Sequence, residues 1–317
     1  MPDTSQPQPD MIGGVPTPPL AILPRPSRLF SRRAERFAHL AAASANLAPY
    51  LEFLAALCRV QARLADDLPA LAAPDADRVA LARASRMPPL DRQALVDDPA
   101  TLAALDALIA AAGAIEMPAQ ARLALDALRA ATSEDRRWLL SNIMDDVIPS
   151  DSAAPHLFVA AAVQVHMAQL AALLDADQLV AIRTGVCPAC GGKPASSLIT
   201  GVMGAEGTRY AACGCCQTLW NEVRVKCLSC GSTKGISFQS VEDGEAAGDA
   251  DKSAQDMGAQ VKAECCDECG AWVKQLAQSR NPALDPIADD VASLGLDALM
   301  QGGKWRRAGF DPFLIGY

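Results

Sequence analysis

Apolar positions recur every three or four residues through the first half of this chain. Leu29, Phe37 and Leu40 form the first such set, and a second set follows Pro49. Because this spacing places apolar side chains on one face of a helix, it predicts amphipathic helices. The abundance of alanine supports them, since alanine loses no side-chain entropy in a helix. We predict an α-helical domain over residues 28–183.

Further helices are expected where a proline or serine marks a start, because proline in the first turn loses no hydrogen bond and serine caps free N–H groups. Their expected ranges are Pro99–Ala112, Pro118–Ala131, Glu134–Val147 with Ser133 as its cap, and Pro155–Asp175. The longest apolar run, Phe158–Leu174, contains Gln164 and His166. It is too short and too polar to span a bilayer, so no membrane insertion is expected.

The pattern changes at Thr184, where alanine becomes rarer, glycine becomes frequent and short β-branched segments begin. Two hairpins and their flanking elements are predicted. The expected hairpin strands are Ser196–Thr200 with Thr208–Ala212, and Ile236–Val241 with Gln260–Glu264. Other expected elements are a strand at Trp220–Lys226, a short strand at Trp272 and Val273, and a helix at Pro286–Met300. The acidic connection 242–259 is expected to be a mobile loop.

These elements predict a multidomain α+β fold. A mainly α N-terminal domain is followed by two small β-hairpin metal domains of rubredoxin or zinc-ribbon type, at residues 184–226 and 227–317. Residues 1–27 are rich in proline and polar residues, and they have neither the basic start nor the apolar core of a signal peptide. We predict that they form a disordered leader.

The net charge of the chain and its expected cellular compartment exclude some classes of binding partner. Without a signal peptide a cytoplasmic location is expected, in which cysteines stay reduced. The formal net charge is −9 and the isoelectric point is about 4.9. An acidic surface repels phosphate backbones, so no nucleic-acid partner is expected.

Ten of the eleven cysteines lie between Cys187 and Cys269. Eight of them form four Cys-x-x-Cys knuckles, in which the two intervening residues let both sulfurs of a tight turn face one ion. The predicted metal ligands are Cys187, Cys190, Cys213, Cys216, Cys227, Cys230, Cys266 and Cys269. A predicted hairpin lies between the first two knuckles and another between the last two, which favours pairing them in that order. Pairing of the two middle knuckles, ten residues apart, remains the alternative.

Four thiolates around one ion suit zinc or a mononuclear iron, and the spacing does not separate the two metals. A site closed by four cysteines has no open position, so hydrolytic catalysis by the ion is not expected. A thiol–disulfide redox centre is the competing interpretation, although such a motif usually stands alone near a βαβ unit. Of the three remaining cysteines, Cys58 is expected in the core, and Cys215 and Cys265 adjoin the knuckles.

Little else in the sequence suggests chemistry. Nucleophile, phosphate-loop and dinucleotide motifs are missing, so the protein is not expected to be an enzyme. Three histidines are expected at the surface or at a boundary: His39, His156 and His166. Three arginines are expected on a solvated face of the first helix: Arg32, Arg33 and Arg36. A predicted helix start is expected to be stabilised by three nearby carboxylates, because the helix dipole makes that end positive. The alternative is that these carboxylates contact a partner protein. They are Asp285, Asp289 and Asp290.

The knuckle region resembles the formate dehydrogenase accessory protein family, known as FdhE. The resemblance rests on Cys187-Pro-Ala-Cys190-Gly191, Arg209-Tyr210, Cys213 to Cys216 with Trp220, and Val223-Arg224-Val225-Lys226-Cys227. It extends to Leu29-Phe30, Phe158 to Val165, Ala263-Glu264, Asp289-Asp290 and Leu296-Asp297, and so covers about residues 28–317. This sequence departs from the family at Cys215, Cys265, Asn221 and the acidic segment 242–259.

The resemblance implies a cytoplasmic protein that is needed for active formate dehydrogenase, a molybdenum- or tungsten-dependent enzyme. It also implies contact with the catalytic subunit of that enzyme, and two mononuclear iron ions held by the knuckle cysteines, with zinc as the alternative. We therefore predict an accessory role in maturation. Two other functions stay open: a zinc-ribbon adaptor for nucleic acid or transcription, and an electron-transfer protein that uses thiolate-bound iron.

Overall fold

The first half of the chain folds into helices that pack around one long central helix. The computed structural model of the protein describes residues 18–201, 205–241 and 260–314. Within these ranges the helices of the first half are α1 (Pro26–Ala43), α2 (Ala48–Asp67), α3 (Ala76–Ala84), α4 (Pro99–Ala112), α5 (Ala119–Ala130), α6 (Ser133–Met144) and α7 (Ala153–Ala172). None of the helices in the described ranges combines the length and the apolar character needed to cross a membrane.

Short polar side chains set two of the helix starts. At the start of α4, the Asp98 carboxylate accepts hydrogen bonds from two backbone N–H groups at 3.0 Å. At the start of α6, the Thr132 hydroxyl accepts from the Asp135 N–H, and the Asp135 carboxylate accepts from the Thr132 N–H. Such caps satisfy N–H groups that the helix itself leaves free. The predicted cap, Ser133, is instead the first residue of the helix.

Helix α7 is buried on nearly every side, because α2, α4, α5 and α6 all pack against it. A helix that is apolar all round is expected to be buried in this way. His156 and His166 lie within it and are buried, so the expectation that they are at the surface was wrong, whereas His39 is exposed. Burial lowers the pKa of both buried imidazoles and so favours their neutral forms.

The second half of the chain forms a mixed sheet, which an N-terminal strand joins. Its strands are β1 (Ala21–Ile22), β2 (Pro194–Ile199), β3 (Arg209–Cys213), β4 (Leu219–Glu222), β5 (Ile236–Gln239), β6 (Val261–Cys266), β7 (Ala271–Leu276) and β8 (Arg306–Arg307). The strand order is β1-β4-β3-β2-β7-β6-β5, and β8 also pairs with β7. The two predicted hairpins are β2–β3 and β5–β6. The predicted fold class, helices followed by small four-cysteine hairpin units, is confirmed.

The two hairpin units share this sheet, which the sequence analysis did not foresee. Strand β2 of the first unit runs parallel to β7 of the second, with Leu198 opposite Leu276. Arg209 on β3 forms a buried ion pair with Glu264 on β6 at 2.9 Å. Arg209 also donates to the carbonyl oxygen of Lys226, in the connection between the units, at 2.8 Å. Parallel pairing and one buried charge pair therefore hold the two units side by side.

The end of the predicted leader is ordered. Ala21 and Ile22 pair with Trp220 and Leu219 on the edge of the sheet, and α1 begins at Pro26. The structure therefore differs from the predicted disorder over these residues, because their backbone groups find partners on β4. Residues 1–17 and the predicted loop 242–259 lie outside the described residues.

The predicted helix Pro286–Met300 is divided into two helices, α8 (Ala288–Ala292) and α9 (Leu294–Gln301). Ser293 lies between them with a φ of −96° and a ψ of 38°, outside the helical region. Its hydroxyl donates to the carbonyl oxygen of Asp289 at 2.6 Å. Serine side chains compete in this way with the backbone bonds of a helix, and here the helix breaks.

Ion pairs join α1 to the segment around α8. Arg36 donates to both carboxylate oxygens of Asp289, the closest at 2.6 Å, and Arg33 donates to Asp285 at 3.0 Å. Both arginines are buried, so the expectation of a solvated face was wrong for them. Burial raises the pKa of Asp289, and the adjacent Arg36 opposes that rise. Asp285 also accepts the N–H of Ala288, which is the helix-start role that was expected.

A second buried charge cluster fastens α8 and α9 to β7. Lys274 and Arg307 each pair with both Asp290 and Asp297. Asp311 lies nearby, and burial together with the charge of Asp290 raises its pKa well above the usual range. A neutral Asp311 leaves two cations facing two carboxylates, so the buried cluster is balanced in charge.

Candidate metal centres

Four cysteines come together where the β2–β3 hairpin opens. One knuckle precedes β2 and the other follows from the end of β3. The Sγ atoms of Cys187 and Cys216 are 3.6 Å apart, and those of Cys190 and Cys213 are 3.5 Å apart. All four sulfurs lie within 4.8 Å of one another, and all four residues are buried. We refer to this group as the first centre.

The β5–β6 hairpin repeats the arrangement. The Sγ atoms of Cys227 and Cys269 are 3.6 Å apart, and those of Cys230 and Cys266 are 3.8 Å apart. Again all four sulfurs lie within 4.8 Å of one another. In this second centre the first knuckle also precedes a hairpin and the second follows it. The structure thus pairs the knuckles first with second and third with fourth, the arrangement that the intervening hairpins favoured.

The residue after each knuckle adopts a left-handed backbone conformation, with φ of 78° at Gly191, 65° at Gln217, 79° at Gly231 and 66° at Gly270. The three glycines donate their N–H to the carbonyl oxygen of the first cysteine of their knuckle at 2.9 to 3.0 Å. Glycine adopts this conformation without a steric penalty, which explains its place after three knuckles. Gln217 adopts it at a cost of about 1 kcal/mol.

Both clusters fit a tetrahedral metal ion. With metal–sulfur bonds of about 2.3 Å, a tetrahedron of four sulfurs has edges of about 3.8 Å. The close Sγ–Sγ distances of 3.5 to 3.8 Å match those edges. They are far longer than a disulfide bond of about 2.05 Å, and the cysteines are free. The donor set, four sulfurs in each cluster, suits zinc or mononuclear iron.

The protonation of the thiols points to the need for a cation. Burial raises the pKa of Cys187 and Cys216, whereas hydrogen bonds from neighbouring thiols lower the pKa of Cys190. Burial also raises the pKa of Cys227 to about 12. Four thiolates in contact repel one another, so they ionise together only when a positive ion lies between them.

Arg92 approaches the first centre from the helical domain. It donates two hydrogen bonds to the carboxylate of Asp146, at 2.6 and 3.0 Å, and Asp146 also accepts the N–H of Lys193 at 2.9 Å. A Cβ atom placed on Gly192 would lie 3.4 Å from Nη1 of Arg92 and 3.2 Å from Sγ of Cys213. The guanidinium is therefore near the thiols, where it interacts with the Asp146 carboxylate and also with Cys190 of the cluster.

Two further contacts tie the second knuckle of the first centre to the helices. Gln164 on α7 donates to the carbonyl oxygen of Gly214 at 3.0 Å. Arg33 on α1 donates to the side-chain oxygen of Gln217 at 2.8 Å. The Gln217 amide in turn donates to the carbonyl oxygen of Gly214 at 3.1 Å. The strained residue after this knuckle is thus fixed by partners on the helical domain.

The two centres differ in exposure. Every cysteine of the first centre is at most 2% exposed. In the second centre Cys230 is exposed and Cys269 is partly exposed, while Cys227 and Cys266 are buried. The first centre lies at the interface between helices and sheet, and the second lies at the surface.

The three remaining cysteines do not join either cluster. Cys58 is in the core of α2, where burial raises the pKa of its thiol to about 12. Cys265 lies on β6 opposite Trp272, and burial raises its pKa to about 11. The pKa of Cys215 is raised by interaction with Cys190 and by burial. The two-residue spacing therefore distinguished the clustered cysteines from their neighbours.

Sequence reasoning missed Arg92 and Asp146. They lie 54 positions apart and far from the knuckles, so no local spacing connects them. The sequence offers only two opposite charges, Arg92 in a predicted loop and Asp146 near the end of the predicted helix Glu134–Val147, and such charges are common at protein surfaces.

The chain matches family models along almost all of its length. Residues 18–184 match the model described as FdhE, N-terminal, residues 186–224 match the FdhE central domain, and residues 225–314 match the FdhE C-terminal domain. The chain belongs to the FdhE family. The family resemblance predicted from the knuckle region is thereby confirmed.

Individual members of the family agree with this assignment. The chain is 53% identical to the Protein FdhE homolog of Rhizobium meliloti over 312 residues, which is 98% of either chain. It is 33% identical to Protein FdhE of Escherichia coli over 300 residues, 94% of this chain and 91% of the relative. The crystal structure of the FdhE protein from Pseudomonas aeruginosa superposes with a TM-score of 0.79 at 32% identity, covering 94% of this chain and 99% of that one.

Proposed function

We propose that this protein is a cytoplasmic accessory protein that assists the maturation of formate dehydrogenase and binds the catalytic subunit of that enzyme. The observation that carries the proposal is membership of the FdhE family along nearly the whole chain. The cysteine clusters support a binding role rather than a catalytic one, because four sulfur ligands leave no open coordination position for a substrate.

We further propose that each cluster holds one metal ion, and that the ion is iron, with zinc as the alternative. Support comes from the Sγ–Sγ distances, which fit a tetrahedron, and from the raised pKa of the buried Cys187 and Cys216 thiols, which disfavours ionisation of all four cysteines unless a cation lies among them. The ion would supply a cross-link between two knuckles. Such a link would stabilise the ends of each hairpin, where two knuckles meet without a covalent bond between them.

Electron transfer through thiolate-bound iron is the second candidate. The exposure of Cys230 favours it, because an electron donor could come close to the second centre but not to the first. The spectrum of the iron-loaded protein before and after dithionite tests it. Bleaching of one of two iron equivalents supports the role, and an unchanged spectrum excludes it.

A nucleic-acid adaptor is disfavoured by the net charge of −9. Retention of nucleic acid on a filter at low salt would reverse that judgement.

Deletion of the gene in its host tests the main proposal. Formate-dependent dye reduction by cell extracts should fall, and the wild-type chain should restore it. A pull-down with tagged wild-type protein should retain the formate dehydrogenase catalytic subunit. Normal dye reduction in the deletion strain, together with no retained subunit, would refute the proposal.

Metal analysis of the purified protein separates the two metals. About two irons per chain, with sulfur-to-metal charge-transfer bands, support the iron sites. Two zincs per chain and a colourless protein would instead favour zinc sites with a purely structural role.

A further inference from the structure

A pocket of about 540 Å³ lies where the N-terminal segment, the sheet and the loop before α8 meet. Residues 22–25 and the first turns of α1 form one wall, and Leu198, Leu219 and Leu284 form the opposite one. Its size is within the range of small-molecule sites, which runs from about 300 to 1,000 Å³. Cys213 of the first metal centre also lines it, but the pocket is additional to both cysteine clusters.

The pocket is strongly positive in an otherwise acidic protein. Four arginines line it, namely Arg25, Arg28, Arg32 and Arg33, and Asp285 is the one acidic residue among the lining residues. Asp285 pairs with Arg33. Within the described parts of the chain, the other three arginines form no ion pair with a carboxylate. The lining therefore carries an excess of three positive charges, which favours a ligand with more than one negative charge.

Arg33 supplies a positive charge that the fold holds in place at this pocket. Its side chain is fully buried, and its Nε and Nη2 donate to Asp285 and Gln217, both of which also line the pocket. Its Nη1 has no hydrogen-bond partner among the described residues. This nitrogen is fully buried, so a ligand in the pocket would interact with Arg33 through the charge of its guanidinium and not through this N–H.

Apolar side chains line both walls of the pocket. Leu23 and Leu29 lie on the wall that carries the arginines, and Leu284 lies on the opposite wall. Apolar walls with a few converging charges are typical of sites for an organic molecule with one charged end. A free inorganic ion would leave these walls without a contact.

We propose that this pocket binds a soluble phosphorylated small molecule, whose phosphate group lies against the exposed Arg28 and Arg32. Arginine forks match the oxygens of a phosphate, and a dianionic phosphate offsets most of the excess charge, which a single carboxylate does not. The proposal goes beyond the role in formate dehydrogenase maturation and does not depend on it.

Calorimetric titration of the full-length, metal-loaded protein with phenyl phosphate and with inorganic phosphate tests the site. We expect one phenyl phosphate per chain, bound at least about tenfold more tightly than inorganic phosphate because of its apolar ring. The double variant Arg28→Gln, Arg32→Gln should bind phenyl phosphate at least about tenfold more weakly. Both residues are exposed, so this variant should fold normally.

The matched control is Arg59→Gln, Arg63→Gln, which removes two exposed arginines of α2 outside this pocket. It should bind phenyl phosphate like the wild type. Absence of binding by the wild type at millimolar concentration, or equal loss in both double variants, would overturn the proposal.

Cosedimentation with phosphatidylglycerol vesicles distinguishes a lipid headgroup from a soluble ligand. Vesicle binding through the same arginines without phenyl phosphate binding would also overturn it.

Discussion

The guanidinium of Arg92 donates to both carboxylate oxygens of Asp146, at 2.6 and 3.0 Å, beside the sulfurs of the first metal centre. Asp146 is buried, and Arg92 belongs to the loop before α4. The helical domain thus places an ion pair next to the first centre, and the guanidinium of that pair interacts with both Asp146 and the cluster cysteine Cys190. This contact couples metal binding to the packing of the two halves of the protein.

Replacing Arg92 with Gln should weaken metal binding at the first centre. Residues that contact metal ligands typically change metal affinity by about 10- to 100-fold when they are lost. Competition with a chromogenic chelator measures the affinity of the protein for each of its two metal ions. Arg137→Gln is the control, since its ion pair with Asp97 is exposed and neither residue belongs to a cysteine cluster. Equal affinities in both variants would show that the guanidinium does not act on the centre.

The two centres should release their metal at different rates. A chelator reaches the second centre through the exposed Cys230, whereas the first centre has no exposed cysteine. We expect a fast phase and a slow phase of one metal equivalent each in a stopped-flow chelation experiment. The Cys230→Ser variant should lack the fast phase. A single phase of two equivalents would contradict the difference in accessibility.

Replacing Cys187 and Cys190 with Ser should remove one of the two metal equivalents and lower the thermal midpoint, because a knuckle supplies half the ligands of a centre. Atomic absorption and a thermal scan measure the two effects. Cys215→Ser is the matched control, since this buried cysteine lies beside the first centre but outside the cluster. Loss of metal in the control instead would reassign the ligand from Cys216 to Cys215.

Replacing Arg36 with Met should destabilise the protein by about 3–5 kcal/mol, because the buried carboxylate of Asp289 loses its partner. The double variant Arg36→Met, Asp289→Leu should recover much of that loss, since neither charge then stays buried. Urea unfolding measures both free energies. Arg137→Met breaks an exposed ion pair with Asp97 and should leave the free energy of unfolding nearly unchanged. An equally small effect of Arg36→Met would mean that Asp289 finds water or another cation.

Stability should also depend on pH through Asp311. Burial raises the pKa of Asp311 well above its value of 3.8 in the unfolded chain, so the folded state retains a proton that the unfolded state has lost. The stability from this group is therefore complete below that unfolded value and is lost as pH rises through the raised pKa. Asp311→Asn removes the ionisation but keeps an oxygen to accept the N–H of Phe313.

Thermal midpoints of wild type and Asp311→Asn should therefore separate as pH increases from about 4 to 8, with the variant more stable at the upper end by on the order of 1 kcal/mol or more. Parallel midpoint curves would mean that Asp311 stays charged in the folded protein.

Local signals in the sequence were sufficient for most of the helices, for both hairpins and for the identity of the clustered cysteines. The Cys-x-x-Cys spacing acts within one turn, and glycines such as Gly191 and Gly231 mark the left-handed residue that follows. The same holds for the helix that begins at Pro99, where the start signal and the apolar spacing are adjacent in the chain. Such features need only neighbouring residues, so they can be read without a tertiary structure.

Tertiary structure alone decided which charges are buried and what they contact. The sequence places Arg32, Arg33 and Arg36 on one helix, and nothing local distinguishes the exposed Arg32 from the two that reach Asp285 and Asp289 more than 250 positions away. Contacts between residues far apart in the chain likewise set the parallel pairing of β2 with β7 and the position of Arg92 near the first centre. Desolvation and long-range pairing depend on which surfaces meet, and residue spacing along the chain carries no record of that.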